Sequence, residues 1–118
     1  MNDAHYEQIL DKQIAMNRQI WAVLQRHGIT EQSPLRLDFF YHAPSKDAAE
    51  SLVALIRKQT DFDVRAASVG SFWRRKWRVE GRTQTTVISP ETLDQWVSWM
   101  VAAGKERSCD FDGWGTPV

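Results

Sequence analysis

Residues 35–59 read LRLDFFYHAPSKDAAESLVALIRKQ and join a strand pattern directly to a helix pattern. Apolar and polar side chains alternate over 35–43, which predicts a strand with one apolar face, although Phe40 falls on the polar one. Ser45 is the expected N-cap of the helix, because its hydroxyl can accept a hydrogen bond from the first helical turn. The apolar face of this helix is predicted to carry Leu52, Val53, Leu55 and Ile56.

Two further strands are predicted after this strand–helix unit. Residues 62–69 and 72–87 show strand patterns, and Gly70-Ser71 between them indicates a hairpin. In the second of these strands Trp73, Trp77 and Val79 are predicted to share one face, and Arg74, Lys76, Arg78 and Glu80 the other.

A helix and a last strand complete this part of the chain. Pro90 begins the helix, and Gly104 is positioned to end it. Residues 108–112 form a short strand, which a turn at Gly113, Trp114 and Gly115 is predicted to follow.

A further helix precedes the whole series. Residues 3–27 carry a wide apolar stripe, and Gly28 ends this helix as a C′ residue. The resulting order is one helix followed by β-α-β-β-α-β, the pattern of ferredoxin-like folds. We therefore predict an α+β protein with a four-stranded antiparallel sheet in which the strand near 108–112 pairs with the strand near 35–43. The chain is predicted to be one domain over 1–118, with an N-terminal helix at 1–28 and a ferredoxin-like core at 35–118.

Composition restricts the class of protein. The chain has 118 residues, a formal net charge of zero and a single cysteine, Cys109, so an intrachain disulfide is excluded. The start of the chain lacks the features of a signal peptide, and the apolar stretches are too short to cross a bilayer. We expect a soluble cytoplasmic protein without a membrane role.

The motifs of catalysis and cofactor binding are missing from the sequence. His5, His27 and His42 do not have the spacing of metal ligands. Cys109 is better explained as a buried core residue than as a nucleophile. Asp110 and Asp112 are better explained as solvated acids than as an acid–base pair. We therefore expect no enzymatic activity, no cofactor and no metal.

A possible binding surface lies on the polar face of the central strands. Residues 57–82 contain eight basic and three acidic residues, whereas the rest of the chain contains seven basic and twelve acidic ones. Basic side chains beside Phe40 could bind RNA by stacking and phosphate contacts, or could simply be the solvated face of a sheet. Trp99 lies off the apolar stripe of its helix and is a second candidate, as an interface anchor or as an edge contact of the core.

Four features resemble the regulator of ribonuclease activity B family of small bacterial proteins. They are the end of the first helix at Leu24 to Gly28, the segment DFFYHAPSKDAAESLVALI, the segment KWRVEGRTQTTVISPETL, and the ending CDFDGWGTPV. The ending is the most specific of the four, and the resemblance covers nearly the whole chain. It implies the ferredoxin-like fold with an added N-terminal helix, in which Trp114 closes one end of the sheet.

The resemblance also implies a non-catalytic inhibitor that binds an endoribonuclease, ribonuclease E, and thereby regulates RNA degradation. Such inhibitors tend to be acidic, whereas this chain is neutral. A direct RNA-binding module and an immunity-type inhibitor of a toxin are the alternative functions. The candidate partner-binding residues are Phe40, Arg74, Lys76, Arg78, Trp99, Asp110 and Asp112, and the structural motif is Gly113, Trp114 and Gly115.

Overall fold

The computed structural model describes residues 3–70 and 75–117. Three helices and four strands follow one another in the predicted order. They are α1 (Asp3–Arg26), β1 (Asp38–Ala43), α2 (Lys46–Gln59), β2 (Asp63–Val69), β3 (Lys76–Arg82), α3 (Pro90–Glu106) and β4 (Asp110–Gly115). Within the described residues, the helices lack the combination of length and apolar character that crossing a membrane requires.

The four strands form one antiparallel sheet in the order β2-β3-β1-β4. This is the strand order of the ferredoxin-like fold, so the predicted fold class is confirmed. The predicted pairing of the first and last strands is also confirmed, because Phe39 pairs with Trp114 and Tyr41 with Phe111.

The core lies between the sheet and helices α2 and α3. Phe39 and Tyr41 of β1 are completely buried at its centre, and the Tyr41 hydroxyl donates a 2.6 Å hydrogen bond to the Met100 carbonyl. The two helices begin where their caps require. Ser45 caps α2 by accepting from the Ala48 N–H, as predicted, and Ser89 forms a capping box with Thr92 at the start of α3.

Helix α3 continues past Gly104, so the prediction that this glycine ends the helix is wrong. Gly104 is required for close packing instead. A Cβ atom at this position would lie 2.6 Å from the Cys109 carbonyl oxygen and 2.8 Å from Cε2 of Tyr41. The helix ends two residues later at Glu106, and the Gly104 carbonyl accepts hydrogen bonds from the Arg107 and Cys109 N–H groups.

Helix α1 packs on α3 and on the outer edge of β4. Helix α1 therefore does not cover the polar face of the sheet. Two buried polar residues of α1 make the connection to β4. The Gln13 side chain donates to the Asp112 carbonyl, and the Asn17 Oδ1 atom accepts a 2.7 Å hydrogen bond from Nε1 of Trp114.

Strand β4 continues through the Gly-Trp-Gly run, so the predicted turn at this position is wrong. Phe40 pairs with Gly113 and Tyr41 with Phe111, which leaves Asp112 as the extra residue of a β-bulge. Gly113 has a φ of +147°, a value that favours glycine. Because of the extra residue, both Phe111 and Trp114 point into the core, although they are three residues apart and simple alternation would place them on opposite faces.

Candidate protein-binding surface

The face of the sheet opposite α2 and α3 is called the open face below. Strand alternation and the cross-strand register place side chains from each of the four strands on the open face. The charged and aromatic members are Asp38, Phe40, His42, Asp63, Arg65, Lys76, Arg78, Glu80, Arg82, Asp110 and Asp112. This surface contains every sheet residue that the sequence singled out for binding, apart from Arg74, which lies outside the described residues.

One half of the open face is neutralised by cross-strand ion pairs. Arg82 Nε contacts Asp38 Oδ1 at 2.5 Å, and Arg65 Nε contacts Glu80 Oε1 at 2.8 Å. Arg36, just before β1, contacts Asp63 at 3.2 Å. The hydrogen bond that Arg82 donates to the Asp38 carboxylate raises the pKa of Arg82, which stays cationic.

Exposed pairs of this kind contribute little to stability. They do set the charge of the surface, because most of the predicted basic face is balanced by acids.

The other half of the open face, toward the β2–β3 connection, contains Arg78 and Lys76. The Arg78 guanidinium carbon lies 5.2 Å from the centroid of the Phe40 ring, a cation–π contact. Within residues 3–70 and 75–117, Arg78 and Lys76 have no carboxylate within 4.0 Å. Arg78 Nε is also buried without an acceptor among those residues. The predicted neighbours Phe40, Lys76 and Arg78 thus do lie together.

The two acids of β4 are each placed beside a histidine. Asp110 Oδ2 lies 3.0 Å from His5 Nε2, and Asp112 Oδ1 lies 3.2 Å from His42 Nε2. Both aspartates are substantially exposed. The structure therefore places them as surface groups that connect β4 to α1 and to β1.

Trp99 lies on the other side of the molecule. It is 38% exposed and lines a shallow groove between α2 and α3 with Leu55, Gln59 and Ala102. Trp99 is thus partly exposed on the helix side of the molecule, so Trp99 and Arg78 belong to separate surfaces.

The ending of the chain has mainly a structural role. Trp114 is 8% exposed and its ring packs edge-on against Trp96 with centroids 6.3 Å apart. Gly113 has a φ of +147°, which favours glycine, whereas Gly115 does not have a positive φ. A Cβ atom at Gly115 would meet no atom within 4 Å, so neither backbone conformation nor close packing requires a glycine at this position.

The cysteine that was considered as a nucleophile lies in the core. Cys109 is completely buried, and burial raises the pKa of its thiol to about 11, so the thiol is protonated at neutral pH. Burial also raises the pKa of Tyr41 well above its usual range. Among the described residues there is no group of three or more histidines, cysteines and acids that could hold a metal ion.

The pairing of acids with arginines on the open face is the feature that the sequence did not predict. Asp38, Asp63 and Glu80 lie on the same face as Arg65 and Arg82 and form ion pairs with arginines there. Alternation places Asp38 and Glu80 on this face, but their pairing with Arg82 and Arg65 depends on the cross-strand register.

Comparison with known proteins identifies the family. No curated protein matches the chain. The family model described as Regulator of ribonuclease activity B matches residues 14–116, which include most of α1, all four strands and the Gly-Trp-Gly ending. The chain therefore belongs to the regulator of ribonuclease activity B family.

Proposed function

We propose that this protein binds an endoribonuclease of the ribonuclease E type and lowers its activity by covering a surface of the enzyme. The observation that carries this proposal is the family match over residues 14–116. In this proposal the protein catalyses no reaction itself and acts in the bacterial cytoplasm, where the nuclease processes RNA.

Two surfaces are suited to such binding. The open face offers Arg78 and Lys76 without carboxylate partners among the described residues. The α2–α3 groove offers Trp99, a residue type that often anchors interfaces.

The proposal is tested with purified ribonuclease E and a fluorogenic RNA substrate under multiple-turnover conditions. We expect the cleavage rate to fall in a saturable way as the protein is added, and the two proteins to elute together in size-exclusion chromatography. The protein alone should leave the RNA intact. An unchanged cleavage rate together with separate elution would rule out the proposed function, and capture of a toxin instead would favour the immunity-type alternative.

Direct binding to RNA is expected to be weak. Among residues 3–70 and 75–117, the open face has one aromatic ring suited to stacking, that of Phe40, and Arg78 already covers it. Five acids on the same face oppose phosphate: Asp38, Asp63, Glu80, Asp110 and Asp112. We predict no RNA binding tighter than about 10 μM at roughly 0.15 M salt, the range of nonspecific electrostatic binding. Fluorescence anisotropy with single-stranded and hairpin RNA at two salt concentrations measures this. Submicromolar affinity at the higher salt would support an RNA-binding module instead.

A further inference from the structure

The uncompensated part of the open face has a defined composition. It is called the Arg78 patch below and consists of Phe40, Ala67, Val69, Lys76 and Arg78. Ala67 pairs with Arg78 and Val69 pairs with Lys76 in the β2–β3 register. The neighbouring strand therefore presents two small, half-buried side chains beside the two cations. The result is a shallow shelf next to two positive charges.

Arg78 is held in place before any partner arrives. Its guanidinium lies over the Phe40 ring at 5.2 Å, and its Nε atom is shielded from solvent without an acceptor in the described part of the chain. A guanidinium with a restrained geometry loses little entropy when a carboxylate forms a two-point hydrogen bond with it.

The surrounding charges leave this patch positive. The ion-paired arginines Arg65 and Arg82 have their own acids in the other half of the face. Asp110 lies on β4, two strands from β3 and thus about 10 Å away, which is close to the screening length in physiological salt. Asp110 and Asp112 each face a histidine. Arg78 and Lys76 are therefore complementary to a partner that brings its own negative charge.

The spacing and the covered ring favour a protein partner. Arg78 and Lys76 are alternate residues of one strand, so their Cα atoms are roughly 7 Å apart along it. Alternate carboxylates of an extended peptide have the same repeat. RNA phosphates could match that spacing, but the Phe40 ring cannot stack on a base while Arg78 occupies it.

We propose that the Arg78 patch is the docking site for an extended acidic segment of a protein partner, with carboxylates at positions i and i+2 that bind Arg78 and Lys76. This inference rests on the proposed function, which supplies a protein partner.

The test compares two charge-matched double variants. Lys76→Gln with Arg78→Gln removes the two cations of the patch, whereas Lys12→Gln with Arg26→Gln removes two exposed cations of α1. Circular dichroism and thermal melting check that both variants are folded. We expect the patch variant to raise the inhibition constant against ribonuclease E about 10- to 100-fold, because two charge-assisted contacts are lost. The α1 variant should stay within about twofold of the wild type.

A second measurement does not depend on the nuclease. The probe is a synthetic peptide of alternating glutamate and threonine, and its glutamine counterpart is the control. In a ¹⁵N NMR titration of the wild type, we expect the glutamate peptide to shift the amides of 76–80 and 67–69 and the Arg78 Nε resonance. The glutamine peptide, and either peptide with the patch variant, should leave them unchanged.

The two measurements separate failure of the inference from failure of the proposed function. If the wild type inhibits the nuclease and the patch variant inhibits it equally well, the docking site is wrong and the proposed function stands. If the wild type does not inhibit, but the glutamate peptide maps to the patch, the docking site stands and the proposed partner is wrong. Peptide shifts outside the patch, or tighter binding of oligouridylate than of the glutamate peptide to the patch, would overturn the inference.

Discussion

Replacement of Trp114 with alanine is expected to lower the free energy of unfolding by about 3–5 kcal/mol. The indole is buried at the end of the sheet, where it packs against Trp96. Its Nε1 atom donates to Asn17, and Asn17 in turn donates to Asp94 of α3 at 3.1 Å. Truncation therefore leaves a cavity in the core and removes the donor from a buried amide oxygen that links three elements.

Urea denaturation followed by far-UV circular dichroism measures this effect. Trp99→Ala is the matched control, because it removes the same side chain from an exposed position and should cost only about 1 kcal/mol. Trp114→Phe should have an intermediate effect, since it keeps an aromatic ring but removes the hydrogen bond. An unchanged denaturation midpoint for Trp114→Ala, with loss of partner binding, would show that Trp114 is a surface anchor and not a core residue.

Replacement of Gly104 with alanine is expected to destabilise the protein by about 3 kcal/mol, the upper end of the range for overpacking. The added methyl group would lie 2.6 Å from the Cys109 carbonyl oxygen and 2.8 Å from Cε2 of Tyr41. Neither obstacle can move easily. One is backbone, and the other is a buried ring whose hydroxyl is bonded to the Met100 carbonyl.

The helix propensity of alanine acts in the opposite direction. In the interior of a helix alanine is favoured over glycine by about 1 kcal/mol, so a net loss of stability can come only from the steric conflict. Gly115→Ala serves as the control, because its added Cβ would meet no atom within 4 Å. Thermal unfolding of both variants decides the point. A Gly104→Ala protein as stable as the wild type would mean that α3 shifts away from β1 at little cost.

The predictable parts of the fold are those that local patterns determine. Alternation over 35–43 correctly placed Phe39 and Tyr41 in the core and Phe40 on the other face. Successive side chains of a strand point to opposite faces, so burial of one face fixes the position of every residue. Ser45 was correctly identified as an N-cap for a similarly local reason.

The errors arose where tertiary contacts override a local signal. A glycine near the end of an apolar stripe usually ends a helix, but Gly104 is needed for the close approach of Tyr41 and Cys109. The two glycines beside Trp114 predicted a turn, but the segment is part of β4, and Gly113 lies at its β-bulge. A bulge depends on the register with the neighbouring strand, which short-range periodicity does not contain.

The candidate surface could be predicted only in part, because local patterns predict which face a side chain lies on but not its contacts with other strands. The sequence correctly grouped Phe40, Lys76 and Arg78 on one face, since alternation within a strand is local. It did not show that Arg78 stacks on Phe40, or that Asp38 and Glu80 neutralise Arg82 and Arg65, because those contacts join different strands. Separation of paired from unpaired cations required the register of the sheet.

The contacts of helix α1 have a consequence for the order of events during synthesis. Asn17 and Trp114 are 97 residues apart in sequence, and His5 and Asp110 are 105 apart. As the chain leaves the ribosome, α1 emerges before α3 and β4, the elements on which it packs. Contacts of such long sequence separation are slow to form. We therefore expect the apolar side of α1 and its buried amides to remain without native partners until α3 and β4 have been synthesised, so that α1 docks only after β4 has emerged.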